Sequence, residues 1–459
     1  DVSKLSDDMF NYVVAFSAKS DEDPGILYAL KGLFGGYKGV VNVKPFYQTM
    51  REYSKIESRD MWEYKLNLDK EEIDSVINHL WELYANTNFD YYFFDENCTS
   101  VLARIIDLVS VDYNYAENMS GYALPTEFVK ALHDNGRVTD VRYYPSLRKT
   151  FWAHYKALNS TQKDDFVEIV KDSATKGDAE TYQAALHYMD YKRHDFENDT
   201  SVEFNHTQKR VFSNASKKGQ ATPLKLERPK APHEGHLPAK IGVFLGEQNK
   251  ETVNTFSVRP LFHGLSDSDK GQEPWSSMEF FRVDFNFNHD SNNIGIDDLI
   301  IADIQSLPNF TLLDKNVSWD LSLQVNPLIE EGKNNSLKTS YSMKLGLTKQ
   351  SKSYVFSTMF GAKLEGHDSF RDKVRVGPHV KVIGGLLLWN SKLLFQGNYF
   401  HSFLGRGELS KRYYVDYSAG LSIPVSTQGV LEFKSKFHSM LGSASDTYDS
   451  HYAGVSIYY

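Results

Sequence analysis

From about residue 237 to Tyr459 the chain alternates apolar and polar side chains with a period of two, and that pattern restricts the fold more than any other feature. In "FRVDFNFN", Phe281, Val283, Phe285 and Phe287 interleave with Arg282, Asp284, Asn286 and Asn288. "VSWDLSLQV" sets Val317, Trp319, Leu321, Leu323 and Val325 against Ser318, Asp320, Ser322 and Gln324. "LKTSYSMKLGLT", "YVDYSAGLSI" and "LEFKSKF" behave alike. Successive strand side chains point to opposite faces, so each run reads as a strand with one apolar and one polar face. About twelve such segments occur, most close to the roughly 9–11 residues of a tilted membrane-crossing strand.

Soluble antiparallel sandwiches alternate too. Two features favour a closed membrane barrel instead. Short connections "KQSK", "WNSK" and "PVSTQG" interleave in the later half with longer ones around "EGHDSFRDK", "HSFLGRGELS" and "GSASDTYDS", the asymmetry of outer-membrane barrels. The chain also ends inside a strand, with Ala453, Val455, Ile457 and Tyr459 on one face. The expectation is an antiparallel transmembrane β-barrel of about twelve strands over 237–459. Phe281, Phe285, Trp319, Tyr341, Leu345, Tyr417 and Ile457 would face lipid, and Arg282, Asp284, Lys344, Asp416 and Lys434 the lumen.

Composition supports this and removes other classes. A mean hydropathy of -0.47 would ordinarily suggest a soluble chain, but the polar lumen of a barrel produces the same value. No apolar stretch reaches the roughly 18–20 residues of a membrane helix. A net charge of -9 without a basic stripe argues against nucleic acid. The single cysteine, Cys98, excludes an internal disulfide and a Cys-based zinc site. Starting at Asp1 without Met or a signal peptide, the sequence reads as a mature or trimmed form.

The remainder is α+β. Residues 1–125 read as a mixed domain, 126–195 as a helical extension, and the polar, Pro-bearing 196–236 as a linker. "LDKEEIDSVINHLWELYANT" is an amphipathic helix in which Asp69 and Glu72 form a capping box and Ile73, Val76, Ile77, Leu80 and Leu83 form the buried stripe. "GLFGGYKGVV" lacks the Lys-Ser/Thr end of a phosphate loop and reads as a turn between strands. In "YYFFDENCTSVLARIIDLVS", Tyr91 to Phe94 is strand-like, Asp95-Glu96-Asn97 is a polar turn, and Thr99 to Val109 has helical spacing. Asn97 stands at the N-cap, which puts Cys98 in the first turn, where free N–H groups and the helix dipole favour a nucleophilic sulfur.

Other chemistry is not supported. There is no Gly-x-Ser-x-Gly elbow, and "HEGH" has the wrong spacing for a zinc-binding helix. The acidic residues of "REYSKIESRDMWEY" suit surface ion pairs. His79, His133, His154 and His187 lie on expected helices and read as partly exposed helix residues. Neither a metal nor a cofactor is expected. A lone cysteine is more often a buried packing residue than a reactive one; the position of Cys98 is what shifts the balance.

The run from "GLFGGYKGVV" to "NCTSVL" resembles the Lnb-type N-terminal periplasmic domain family. The residues that carry the resemblance are Arg51-Glu52-Tyr53, Glu57-x-Arg59-Asp60-x-Trp62, the Trp81-Glu82 helix and the Asn97-Cys98 turn. The match covers roughly residues 10–115, and the β-rich segments that follow look like the C-terminal region accompanying this domain in many Gram-negative bacteria. The resemblance implies a circularly permuted papain-like cysteine enzyme, an acyltransferase in the named bacterial example. Cys98 would be the nucleophile that forms a thioester, with Asn97 beside it and the Thr99 amide and helix start facing the oxyanion. The family's Gly-His motif lies upstream of "NYVVAFSA", so the enzyme reading depends on a histidine encoded before Asp1.

Two readings follow. One is an outer-membrane-anchored cysteine acyltransferase or hydrolase whose periplasmic domain acts on lipidated or acylated substrates beside membrane lipid. The other is a non-enzymatic barrel component with a periplasmic plug or docking domain for a protein partner.

Overall fold

The computed structural model describes residues 11–19, 31–32, 35–86, 89–119, 121–172, 176–197, 202–329, 336–370, 373–403, 413–440 and 447–459. They fall into two units, Asp1–Pro229 and Lys230–Tyr459.

In the first unit β1 (Tyr12–Lys19) and β2 (Tyr37–Pro45) pair antiparallel from Tyr12↔Pro45 to Lys19↔Lys38. Short helix α1 (Phe46–Met50) follows, then β3 (Met61–Leu66), α2 (Lys70–Asn86) and β4 (Phe89–Tyr91), which adds to β2 through Tyr37↔Tyr91. Next come α3 (Cys98–Asp107), α4 (Pro125–Asp134), β5 (Val138–Tyr144), and helices α5 (Leu147–Ala157), α6 (Ser160–Asp172), α7 (Ala179–Glu197) and α8 (Val202–Ala215). One core lies between α3 and α4, around Ala103, Ile106, Tyr115, Phe128 and Leu132. Another lies among the later helices, where Phe151, Phe166, Ile169 and Tyr182 are fully enclosed.

Several expectations need correction here. The strand-like aromatic run ends at Tyr91, because Tyr92 N–H bonds to Glu96 O at 3.0 Å and the chain turns. Residues 126–195 are not purely helical: β5 pairs with β3 from Met61↔Tyr144 onward, so a boundary at 125 would cut through a sheet. The 196–236 segment is not a plain linker, since α8 packs on α7 and buries Val211. Its polar sequence hides this, because of the two buried positions, Thr207 and Val211, only one is apolar. The Asp69–Glu72 capping box forms as expected, at 2.8 and 2.9 Å. The α2 stripe is not buried as a whole: Ile73 and Ile77 are exposed, as are Trp81 and Tyr84. The helix touches β2 and α3 along a strip narrower than its apolar face.

The second unit is a closed barrel. Its strands are β6 (Lys240–Gln248), β7 (Glu251–Arg259), the three-residue β8 (Leu261–His263), β9 (Ser277–Asn288), β10 (Asn293–Ser306), β11 (Ser318–Pro327), β12 (Leu337–Gln350), β13 (Tyr354–Gly366), β14 (Val374–Leu388), β15 (Ser391–His401), β16 (Tyr413–Pro424), β17 (Gly429–Met440) and β18 (Thr447–Tyr458). Each pairs antiparallel with its neighbour, β7 pairs with β9, and β18 returns to β6 through Tyr458↔Lys240, closing a ring of twelve in which β8 prolongs one edge of β9. Closure leaves no unpaired strand edge in the bilayer.

The two faces sort as the alternation predicts. Phe281, Phe285, Trp319, Leu345, Tyr417 and Ile457 are exposed on the outside, and Tyr341 is partly so. Lys344 is buried on the inside, with Arg282, Asp284, Asp416 and Lys434 less completely enclosed. A left-handed residue at Phe281 re-phases β9, so Glu279 and Arg282 both turn inward.

The end bearing the short turns 351–353, 389–390 and 425–428 also carries two long connections, 264–276 and 307–317. Both fold into the lumen. Trp275, Leu265 and Leu307 pack there with inward-facing Val355, Met359, Ile383 and Leu394. Gly385 makes room: a Cβ there would stand 2.6 Å from the Trp275 ring. Trp275 Nε1–H donates to Ser351 O at 2.9 Å, and Lys392 Nζ reaches Asp269 at 2.6 Å and Leu265 O at 3.2 Å. The barrel is therefore plugged at this end. The longer connections at the other end include 330–335, 371–372, 404–412 and 441–446, which lie outside the described residues.

Candidate active site

Cys98 is the first residue of α3 and is partly exposed. Its position is fixed by Asn97, which is almost completely buried and uses its whole side chain. Asn97 Oδ1 accepts from Thr99 N–H at 2.8 Å and Ser100 N–H at 3.3 Å. Its Nδ2 donates to Phe93 O at 3.0 Å and Ala123 O at 2.9 Å. Ser100 Oγ accepts from Asn97 N–H at 3.0 Å, completing a capping box. A carboxylate in place of the amide could not make the two donor bonds, which is a physical reason for Asn rather than Asp here. Glu96, one residue earlier, grips Arg104 two turns along α3 with bonds of 2.6 and 2.9 Å.

The far end of α3 is held as firmly. Asp107 accepts from Tyr115 N–H at 2.5 Å and Ala116 N–H at 2.9 Å, tying the helix to the segment that carries Tyr115 into the core. Against this fixed frame the cysteine sulfur is solitary: among the described residues no group hydrogen-bonds to it. The turn before it is mixed in character: Asp95 is exposed and Glu96 is tied to Arg104. Tyr92 and Phe93 are exposed in the turn before Cys98, and Leu102, one turn further along the same helix face, is exposed too.

The first-turn amides are distributed unevenly. Thr99 N–H, expected to face an oxyanion, is taken by Asn97 Oδ1, as is Ser100 N–H. This could not be read from sequence, because a cap signature does not say which N–H it occupies.

The other candidates separate from Cys98. Asp60, one of the residues carrying the resemblance, accepts from Tyr143 OH at 2.8 Å, Ser146 N–H at 3.0 Å and Lys149 Nζ at 2.8 Å. It joins the β3–β5 sheet to α5 from a largely buried position, so it is more than the surface pair expected of it. Trp62 packs against Tyr143 with the rings tilted by 39° and their centres 4.8 Å apart, and Arg228 lies over its ring at 5.2 Å. His154 and His187 meet face to face, with ring centres 4.4 Å apart, and burial holds both below the ordinary imidazole value, His187 at about 4.

In the barrel unit His236, His263 and Asp267 bring three ligand-type atoms within 4.8 Å of one another. Asp267 already accepts from Lys240 at 2.9 Å, Tyr458 OH at 2.8 Å, Arg259 at 2.5 Å and Gly264 N–H at 2.7 Å, while His236 Nε2 and His263 Nδ1 bond to each other at 3.0 Å. A dication would sit against two cations, so this set fits a charge network anchoring the plug rather than a metal centre.

Charge inside a closed antiparallel ring, with apolar side chains outside it, defines an outer-membrane-type β-barrel protein, here preceded by a separate α+β unit. Residues 1–135 match the family model of the Lnb N-terminal periplasmic domain, and residues 229–453 match that of a domain of unknown function (DUF7840). The chain thus carries an Lnb-type periplasmic domain in front of an outer-membrane barrel, the first in the periplasm and the second in the outer membrane. No curated protein matches it. Among solved structures, the NanC porin is similar at a TM-score of 0.31 and 8% identity, over 48% of this chain and 100% of that one. An outer membrane channel from Pseudomonas putida F1 is similar at 0.31 and 9%, over 52% and 100%. The barrel assignment rests on the strand pairing described above, not on these likenesses.

Proposed function

We propose that the periplasmic domain is a thiol-dependent acyltransferase or hydrolase acting on lipidated or acylated substrates at the inner face of the outer membrane. The observation that carries this reading is a partly exposed Cys98 at a rigidly capped helix start, flanked by exposed Tyr92, Phe93 and Leu102. The sulfur would attack the acyl carbonyl, forming a thioester and releasing the substrate's alcohol or amine. Water or an acceptor amine would then displace the sulfur and carry the acyl group away. Asn97 positions the sulfur. With Thr99 N–H held in the cap, Cys98 N–H is the first-turn donor left to meet the oxyanion. The apolar rim would shelter an acyl chain, whose transfer to water costs about 0.8 kcal/mol per CH₂.

The thiol proton needs a base, and no histidine precedes His79 in this sequence. The test therefore uses the protein expressed from its full coding sequence, in outer-membrane vesicles, with a diacylated lipopeptide as substrate. Cys98→Ser should reduce acyl release or transfer by at least about a thousandfold, since serine is activated far less easily than a thiol. Barrel insertion should not change. An active, folded Cys98→Ser protein would remove the thiol from the mechanism.

A docking role is the second reading, favoured by the exposed ridge Ile73, Ile77, Trp81 and Tyr84 on α2. Such ridges mark interaction surfaces. Full activity of an Ile77→Ser/Trp81→Ser variant, with no loss of a co-purifying protein, would count against it.

A further inference from the structure

We infer that the lipid-facing wall of the barrel is low at β18, β6 and β7, and that polar headgroups of the outer leaflet, rather than acyl chains, meet it there. The inference rests on the barrel alone and is independent of the Cys98 chemistry.

Residues directly opposite each other on paired strands share a face of the sheet, so the register gives the outer surface row by row. Counted away from the short-turn end, the rows on β18, β6 and β7 are Ile457–Ile241–Val258, Val455–Val243–Phe256, Ala453–Leu245–Asn254 and His451–Glu247–Thr252. Exposed Ile241, Val243, Leu245, Val455 and Ile457 identify this as the outer face. Glu247, Thr252 and His451 are exposed on it as well. The first two rows are wholly apolar, the third admits an amide, and the fourth holds no apolar side chain. On the opposite side of the ring β12, β13 and β14 give Leu347–Thr358–Val382, Leu345–Phe360–Val380, Met343–Ala362–Pro378, Tyr341–Leu364–Val376 and Thr339–Gly366–Val374. None of these rows contains a charged or amide side chain. Both counts start from interface-type residues one step nearer the short turns, Lys349 on one side and Tyr459 on the other.

Successive rows are two residues apart, about 6.6 Å along a strand and about 5 Å along the membrane normal at a tilt near 40°. Five rows span about 25 Å, the height of the apolar band of such barrels, whereas three span about 15 Å. The chain itself makes the wall low. β6 and β7 have 9 residues each, against 14, 13 and 15 in β12, β13 and β14. A tight turn at Asn249 and Lys250, both left-handed, ends the hairpin there. Short turns mark the periplasmic end of such barrels, so the polar row lies in the outer leaflet. Its groups are tied to one another: His451 Nδ1 and Ser435 Oγ share a hydrogen bond of 2.9 Å, and His451 Nε2 lies 3.7 Å from Asp449. No phenyl, phenol or indole ring stands among Glu247, Thr252, Asn254, Asp449 and His451. The core of a protein interface is rich in such rings and poor in charge, so a hydrated headgroup layer fits this patch better than a partner protein. A wall shorter than the hydrocarbon is accommodated by thinning of the bilayer beside it.

The test uses the full chain with Cys98→Ser, which removes its single thiol. Glu247→Cys and Tyr341→Cys, both in the fourth row from the short-turn end, each receive an NBD fluorophore and are folded into phospholipid vesicles. The heat-modifiable barrel band checks folding. Iodide should quench the label at position 247 at least about threefold more strongly than the label at 341, and lipids with a mid-chain nitroxide should do the reverse. His451→Cys, in the same row as Glu247, takes its place if Glu247→Cys does not fold. Equal shielding of both positions from iodide, with equal quenching by the nitroxide, would overturn the proposal. So would a label at 247 that iodide reaches in lipid vesicles but neither quencher reaches in native outer-membrane vesicles, since a protein would then cover the row.

Discussion

The two units of this chain bury opposite things. In the periplasmic unit Phe151, Phe166, Ile169 and Tyr182 fill the interior, and ion pairs such as Arg104–Glu96 lie at the surface. In the barrel Lys344, Asp320 and Glu365 are enclosed, while Leu345, Phe360 and Val455 cover the outside. The backbone rules are the same; the solvent differs. An exposed leucine faces lipid in one unit and water in the other, so the same substitution should have opposite consequences in the two.

The largest effect expected from that contrast is at Asp320. Asp320→Leu would leave Lys344 and Lys381 buried without their shared carboxylate, and loss of one partner from a buried pair costs about 3–5 kcal/mol. The urea midpoint of the barrel in micelles should fall accordingly. Glu96→Gln breaks a surface pair and should cost under about 1 kcal/mol. Equal losses would end the contrast between the interiors.

Next is the pair Leu345→Arg and Ile77→Arg, two exposed apolar positions. The first puts a cation against lipid and should destabilise the inserted barrel by about 2–4 kcal/mol if Leu345 lies near the bilayer midplane. The second should change the stability of the periplasmic unit by less than about 0.5 kcal/mol. Measured unfolding of both variants from vesicles would sharpen the comparison, and a large loss at Ile77 would show that α2 is covered in the working protein.

The smallest effect is a pH dependence confined to the periplasmic unit. Burial, and then the neighbouring His154, hold His187 at about 4 against an ordinary 6.5. A folded value below the unfolded one means that the unfolded chain takes up the proton first as pH falls. The stabilisation is complete above pH 6.5 and is lost as pH falls toward about 4. Melting of the helical region should drop by a few degrees across that window, and His187→Leu should flatten the dependence. An unchanged slope in the variant would assign the effect elsewhere.

What could be read from the sequence is what neighbours in the chain decide. Alternation in "VSWDLSLQV" fixes which side of β11 meets lipid whatever lies across from it, and about twelve such segments gave the strand number. Asn97 before Cys98 likewise announces a cap within three residues of itself. Tertiary structure decided what distant residues do together. Lys436 meets Asp297 and Asp298, 139 and 138 positions away. Trp275 closes one end of the barrel only because Gly385 clears a space more than a hundred positions later. The α2 stripe looked like core, yet whether an apolar face is buried depends on how wide a neighbour covers it. His379 looks unremarkable in "GPHVKV", yet in the folded barrel it is buried with neither ring nitrogen partnered among the described residues. Periodicity is local information, whereas a lumen is made by closure, and closure joins residues whose separation in sequence carries no signal of their contact.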